Sequence, residues 1–307
     1  MLRGHPSDKF TSREIAEWIF ENHKEACREK QNRSQATVQP LDTDAKLIQQ
    51  ISAEIGSQRP RIQRVYPQIK TTEGRPRRFY FTEQSESDEV EAAEKSSSIT
   101  FESSSTEKPS LREENLYPLL SQYLLSELNV YSKRIDERRS KNNRGLNGNK
   151  WLYPDVVGME NLSEEWHEEV KKFVQVQGDK KTKLWSFEVK ILINRSNVRE
   201  VFFQAVSNSS WANLGYLVAN DITGMDTIKE LRMLSVLHGI GVIQLNSEEP
   251  SESQMLIPAR ERTDADWNNV NRLLEENSDF HNYIEAVREF YQTGNVQRHF
   301  WDAEFTN

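Results

Sequence analysis

The chain has 307 residues, 36% of them apolar and 29% charged, with a formal net charge of −8. That length allows about two domains of roughly 100–200 residues each, and no apolar run approaches the roughly 20 residues that a bilayer-spanning helix needs. The lone Cys27 excludes an internal disulfide, and Met1-Leu2-Arg3-Gly4-His5-Pro6 lacks the apolar core of a signal peptide, so a cytoplasmic location without membrane contact is expected.

The first part of the chain, residues 1–83, reads as helices followed by a hairpin. Thr11-Ser12-Arg13-Glu14 has the form of a capping box, with Thr11 capping and Glu14 returning to its amide. Ile15, Trp18 and Ile19 then recur at helical spacing. Residues 32–43 show no periodicity and read as a loop. A second helix is expected from Asp44, with Leu47, Ile48, Ile51 and Ile55 on one face and Gly56 ending it. Arg61 to Tyr66 reads as a third, short helix. Gln68–Thr71 and Arg77–Phe81 flank Glu73-Gly74-Arg75-Pro76, the pattern of two strands around a glycine-containing turn.

From Arg59 to Arg78 there are seven basic residues against one acid. Helices followed by a basic hairpin predict a winged helix-turn-helix, with Arg75, Arg77 and Arg78 on a wing that touches DNA phosphates. The competing expectation is a small helical domain that binds protein. Residues 84–110, with seven acids, two lysines and runs of serine, read as an acidic linker too poor in large apolar side chains to offset the entropy of ordering.

The second part, residues 111–307, alternates helices and strands. Arg112 to Leu128 is a predicted helix with Leu116, Leu119, Leu120, Tyr123 and Leu124 on its apolar face, and Pro118 early enough to be tolerated. A basic loop from Lys133 to Lys150 follows, and Arg144 within it is a further candidate DNA contact. Trp151–Gly158 and Leu184–Lys190 are predicted strands, then Glu200–Trp211 a helix. Leu214–Ala219 is a strand, Met225–His238 a helix and Gly241–Leu245 a last strand. Asp264 to Tyr291 reads as a helical tail packed through Trp267, Val270, Leu274, Tyr283, Ile284 and Val287. The fold class is therefore α/β, a small sheet domain with a C-terminal helical tail.

Polar residues interrupt two of these apolar strands. Asp155 follows Pro154, and Glu188 and Lys190 lie two residues apart, so their side chains share a strand face opposite Trp185, Phe187 and Val189. Charged groups on a buried strand are costly unless paired or metal-bound. Two carboxylates suit Mg²⁺, a hard ion that prefers oxygen ligands, and the Val189 carbonyl between Glu188 and Lys190 is a further oxygen. A neighbouring lysine can position or deprotonate the attacking water. On spacing alone such a set is more often a structural ion pair than a site. The six histidines are scattered without metal-ligand spacing, and Gly145-Leu146-Asn147-Gly148-Asn149 lacks the Gly-Lys-Ser/Thr ending of a phosphate loop.

The segment from Glu113 to Ala219 resembles the PD-(D/E)XK nuclease superfamily. Glu113-Glu114-Asn115-Leu116-Tyr117-Pro118-Leu119-Leu120, Trp151–Gly158 and Gln204–Asn213 are similar to HrgA-type proteins, which accompany bacterial restriction loci and carry an N-terminal winged-helix-like domain. The resemblance implies a restriction-endonuclease-like core in which Asp155 and Glu188 bind Mg²⁺, with Mn²⁺ as a possible substitute, and Lys190 activates water. It also implies an acid on the first helix, Glu113 or its alternative Glu114, and a glutamine near the metal, Gln204. Some members carry Tyr four residues after that glutamine; here the residue is Asn208. The function so implied is a metal-dependent endodeoxyribonuclease acting on double-stranded DNA in restriction or phage defence, as a homodimer and with a possible partner methyltransferase. A modification-dependent endonuclease and a non-cutting DNA-binding regulator are the alternatives.

Overall fold

The computed structural model describes residues 1–6, 8–33, 41–95, 111–141, 152–177 and 180–302. The chain divides into two compact units, residues 1–85 with 223–225, and residues 86–222 with 226–307.

In the first unit β1 (Phe10–Thr11) leads into α1 (Ser12–Asn22), followed by α2 (Lys24–Arg33), α3 (Asp44–Val65), β2 (Ile69–Thr71) and β3 (Arg78–Phe81). The strands form an antiparallel sheet in the order β1-β3-β2. The capping box forms: Glu14 N donates to Thr11 Oγ1 at 3.2 Å, and Thr11 N donates to the Glu14 carboxylate at 2.6 Å. Ala16, Cys27, Leu47 and Ile51 make a small core. Cys27 is buried there and has no ionised partner, a packing role.

Two helices were expected where α3 runs unbroken through Gly56 and Pro60. An interior proline removes a hydrogen bond and an interior glycine costs about 1 kcal/mol. The far half of the helix is anchored instead by tertiary structure, because Arg59 Nη1 meets Glu73 Oε1 of the hairpin turn at 2.9 Å with both side chains almost fully buried. A pair that distant in sequence is invisible to a local reading.

The second unit is a mixed α/β domain with a six-stranded sheet. Its elements are α4 (Glu86–Lys95), α5 (Glu113–Leu128), β4 (Val130–Arg134), β5 (Val156–Asn161), α6 (Glu168–Gln177), β6 (Thr182–Ile193), α7 (Val198–Asn208), β7 (Leu214–Ile222), α8 (Met225–His238), β8 (Gly241–Gln244), β9 (Gln254–Ile257), α9 (Trp267–Glu276) and α10 (Ser278–Thr293). The strand order is β4-β5-β6-β7-β8-β9; the central pairs β6/β7 and β7/β8 are parallel and the outer pairs antiparallel. Leu116, Leu120, Tyr123 and Leu124 of α5 cover one face, against Val156, Trp185, Phe187, Val189 and Tyr216. Helices α7 and α8 pack through Val201, Phe202, Ala205 and Leu231 against Leu217, Ala219, Ile222 and Val242. Helices α9 and α10 join a third cluster around Val157, Met159, Leu184 and Trp211.

Several sequence expectations need correction. The residues read as linker begin with α4, whose Glu89 and Val90 are buried, and Asn194 Nδ2 of the second unit donates to Glu86 O at 2.7 Å. The amphipathic stretch Val90-Glu91-Ala92-Ala93-Glu94 is short, but packing against β6 supplies what composition could not. Strand β4 occupies Val130–Arg134, where the basic loop was expected to begin, and β9 was not anticipated. The expected strand from Trp151 starts only at Val156; Trp151 itself, and Arg144 of the basic loop, lie outside the described residues. The helical tail is two helices, broken where Asn277 Oδ1 accepts from Asp279 N and Phe280 N at 2.8 and 3.0 Å. Trp267, expected to pack, is 66% exposed, while Leu273 is fully buried.

Gly158 has a packing reason. A Cβ there would lie 2.7 Å from Val130 Cγ1 and 3.2 Å from the Phe187 ring, so β4 and β6 flank a position that admits no side chain.

Candidate active site

The site forms where β5 ends beside a β6 that continues. The β5/β6 ladder runs only from Asn161↔Thr182 to Val156↔Phe187. One residue earlier Asp155 N still donates to Phe187 O at 3.1 Å, but Pro154 has no amide to carry the ladder on. The Asp155 side chain takes over: its Oδ2 accepts from Val189 N at 2.7 Å. Asp155 therefore stands just before the strand, and its carboxylate is pinned to the backbone of the Glu-x-Lys strand. Meanwhile β6 still pairs with β7 through Glu188↔Leu217 and Lys190↔Ala219. A notch opens on one side of β6 at residues 188–190, and side chains from neighbouring elements reach into it.

The two-residue strand period puts Glu188 and Lys190 side by side. Glu188 is only 1% exposed. Lys190 Nζ donates to Glu188 Oε1 at 2.6 Å and to Val189 O at 3.1 Å, and Glu113 Oε1 at the start of α5 lies 3.6 Å from it. The other Glu188 oxygen, Oε2, accepts from Asn208 Nδ2 at the end of α7. The choice between the two first-helix acids is thus decided by position. Glu113 faces Lys190, whereas Glu114 turns toward Arg134 and Arg138, at 3.8 and 3.9 Å.

Gln204 is half-buried on α7 and lines the same cavity, of about 440 Å³, with Glu113, Lys190, Glu200 and, from α4, Val90 and Glu94. Sequence reading singled out neither Glu94 nor Tyr117. Tyr117 lies one turn beyond Glu113, with the Arg134 guanidinium 4.7 Å from its ring centroid. The (i, i+4) relation to Glu113 was the available signal for Tyr117. Nothing local marked Glu94, which arrives through the folding of α4.

Acids outnumber bases in this largely buried cluster: Glu188 and Glu113 lie against the Lys190 ammonium, and Asp155 is tied to the Val189 amide beside it. Burial, with the Asp155 charge adding to it, raises the Glu188 carboxyl well above the ordinary range. Glu113 is pushed up to about 7, chiefly by burial and further by Asp155 and Glu94, against the opposing charge of Lys190. Burial works to lower Lys190, but the charges of Asp155, Glu188 and Glu113 outweigh it and hold the amine protonated. The phenol of Tyr117 is raised by burial and by Asp155 and Glu113.

Among the described residues, no group of three or more His, Cys, Asp or Glu side chains is already arranged to hold a metal ion. The donor chemistry nevertheless fits a hard divalent cation. The Lys190 ammonium sits where Glu188 Oε1, the Val189 carbonyl and Glu113 Oε1 converge, which marks a place that stabilises positive charge. Buried Asn208 Oδ1, beside Glu188, has no hydrogen-bond partner among the described residues.

The wing candidates lie in the first unit. Arg75 and Arg77 are exposed in the turn between β2 and β3, and Arg78 is half-buried at the start of β3. Arg77 Nη2 also reaches Glu73 Oε2 at 3.3 Å. Among the described residues no helix is long and apolar enough to cross a membrane. No family model matches the sequence, no curated protein matches it, and no solved structure matches the fold.

Proposed function

We propose that this chain is a divalent-metal-dependent endodeoxyribonuclease that hydrolyses phosphodiester bonds of double-stranded DNA. The observation that carries the reading is the end of β5, where the Asp155, Glu188 and Glu113 carboxyls gather around the Val189–Lys190 segment of β6. A plain structural ion pair needs one acid for one base; this cluster holds three acids, two of them raised by burial. Asp155, Glu188 and the Val189 carbonyl would hold Mg²⁺, or Mn²⁺ in its place, with Glu113 and Gln204 at the rim. Such an ion, when bound, stabilises charge on the phosphate and lowers the pKa of a coordinated water. Lys190, kept protonated by its three acidic neighbours, orients the attacking water and offsets charge developing on phosphorus-bound oxygens. In hydrolysis the water oxygen bonds to phosphorus, one ester P–O bond breaks, and the leaving oxygen takes a proton.

The α/β order supports the restriction-endonuclease-like assignment: α5, then β4, β5 and β6 in antiparallel succession, then α7 and a parallel β7. The three helices and three-stranded sheet of the first unit support a winged-helix DNA-binding role, with Arg75, Arg77 and Arg78 on phosphates and Arg144 as a further contact. A role in bacterial restriction or phage defence in the cytoplasm belongs to the same proposal, as do action as a homodimer, so that both strands are cut, and a partner methyltransferase.

The test is incubation of purified protein with methylated and unmethylated supercoiled plasmid in Mg²⁺ or Mn²⁺. Nicking or linearisation by the wild type, absent in EDTA and in Glu188→Gln, is the expected result. Cleavage of the methylated plasmid alone identifies the modification-dependent form. DNA binding with no cleavage under any condition returns the chain to the non-cutting regulator.

A further inference from the structure

Asn208 closes α7 and is 0% exposed. Its backbone carbonyl accepts from Ser186 Oγ at 3.1 Å, and its side-chain Nδ2 donates to Glu188 Oε2. Ser186 and Glu188 lie two residues apart on β6, so both point to the face that α7 covers. The last turn of α7 is thereby clamped to β6 at two successive inward positions.

Among the described residues the amide of Asn208 has one satisfied end, Nδ2, and one end, Oδ1, without a partner. A buried oxygen left unsatisfied is costly, so the tie from Nδ2 to Glu188 is kept at the expense of Oδ1. Glu188, for its part, has its two oxygens assigned to different neighbours: Oε2 to Asn208 and Oε1 to the Lys190 ammonium.

We infer that Asn208 is a positioning residue for the metal centre: by holding Glu188 Oε2 it fixes the carboxylate plane and presents Oε1 alone to the divalent cation. The inference rests on the metal-dependent reading above and adds to it the residue that orients a ligand. Groups of this kind set the geometry of the ligands they touch, and their loss ordinarily weakens metal binding about 10- to 100-fold. The reach from the end of α7 to a strand carboxylate is short, and an amide N–H supplies the donor needed.

The experiment is Mn²⁺ titration of the full-length protein, without DNA, followed by electron paramagnetic resonance. The proteins compared are wild type, Asn208→Ala, Asn208→Leu, Glu188→Gln and both double variants. Asn208→Leu nearly conserves volume and removes the donor, so it carries the test should Asn208→Ala fail to fold. Melting in EDTA identifies the folded variants. The expected result is a loss of Mn²⁺ affinity of about tenfold or more in either Asn208 variant, and no further loss when Asn208 is changed in the Glu188→Gln background. Wild-type affinity in a folded Asn208 variant, with Glu188→Gln impaired, overturns the positioning role and leaves the metal site standing. An equal loss in both backgrounds overturns it too, because Asn208 would then act independently of Glu188. If wild type and Glu188→Gln bind Mn²⁺ alike, or neither binds, the metal reading fails and the inference falls with it.

Discussion

Each unit of the molecule buries charge, and the two do so in opposite ways. In the first, Glu73 is nearly inaccessible and fully engaged: Arg59 lies 2.9 Å from it, Arg77 3.3 Å, and Thr71 Oγ1 donates to it at 3.1 Å. Arg77 is 39% exposed, so its surplus charge is screened by water. In the second, Glu188 has one cation, Lys190, which it shares with two other carboxylates, and a hydrogen-bond partner that keeps an orphaned oxygen. The first arrangement ties a hairpin turn to a helix. The second gathers three acids on one base, beside a cavity that Glu113 and Lys190 line, and burial raises two of those acids. The contrast is between a satisfied pair and a set of shifted carboxyls, and the proposed function rests on the second.

Lys190→Ala tests the contrast between the two buried clusters most severely. On the proposed function this variant cuts plasmid about 10²–10³-fold more slowly per folded molecule, with Mg²⁺ affinity largely kept. Asp155→Ala loses both rate and metal affinity. A folded Lys190→Ala protein cutting at the wild-type rate would reduce the cluster to another structural pair. Arg59→Ala is the counterpart in the first unit. Leaving buried Glu73 without its main partner should destabilise that unit by about 3–5 kcal/mol in urea unfolding, while cleavage per folded molecule is unchanged.

A smaller effect is expected from pH. The Glu113 carboxyl, raised from 4.5 to about 7, binds its proton more tightly folded than unfolded. Its contribution to stability is whole below pH 4.5 and is lost as the pH rises through 7. Glu113→Gln cannot ionise, so in EDTA its stability relative to wild type should climb between those values, by about 3 kcal/mol, and then level off. A pH-independent difference between the two would show that burial does not hold the proton on Glu113. The smallest change concerns the wing. Replacing Arg75, Arg77 and Arg78 with alanine should weaken DNA binding and flatten its salt dependence by about 0.9 in log–log slope for each phosphate contact removed. Arg77 already spends part of its charge on Glu73, so a slope change below that of three full contacts is expected. An unchanged slope would move the first unit to protein binding.

What the sequence by itself determined lies within reach of local chemistry. The strand period set Glu188 and Lys190 on one face, the Thr11/Glu14 pair marked the start of α1, and α8 runs from Met225 to His238 as its periodicity predicts. Asp155 stood out because a carboxylate after Pro154 interrupts an apolar run. Tertiary structure alone decided the rest. Glu113 was separated from Glu114 by which side of α5 meets β6, and α3 was carried past Gly56 and Pro60 by a pair with Glu73. Part of an apparent linker became α4 and brought Glu94 to the cavity. Asn208 acquired a task only when α7 docked its last turn against β6. The physical reason is the same in each case. Periodicity and capping report on the chain within a few residues, whereas burial and ion pairing are set by groups 14 to 108 positions away, which meet only in the folded chain.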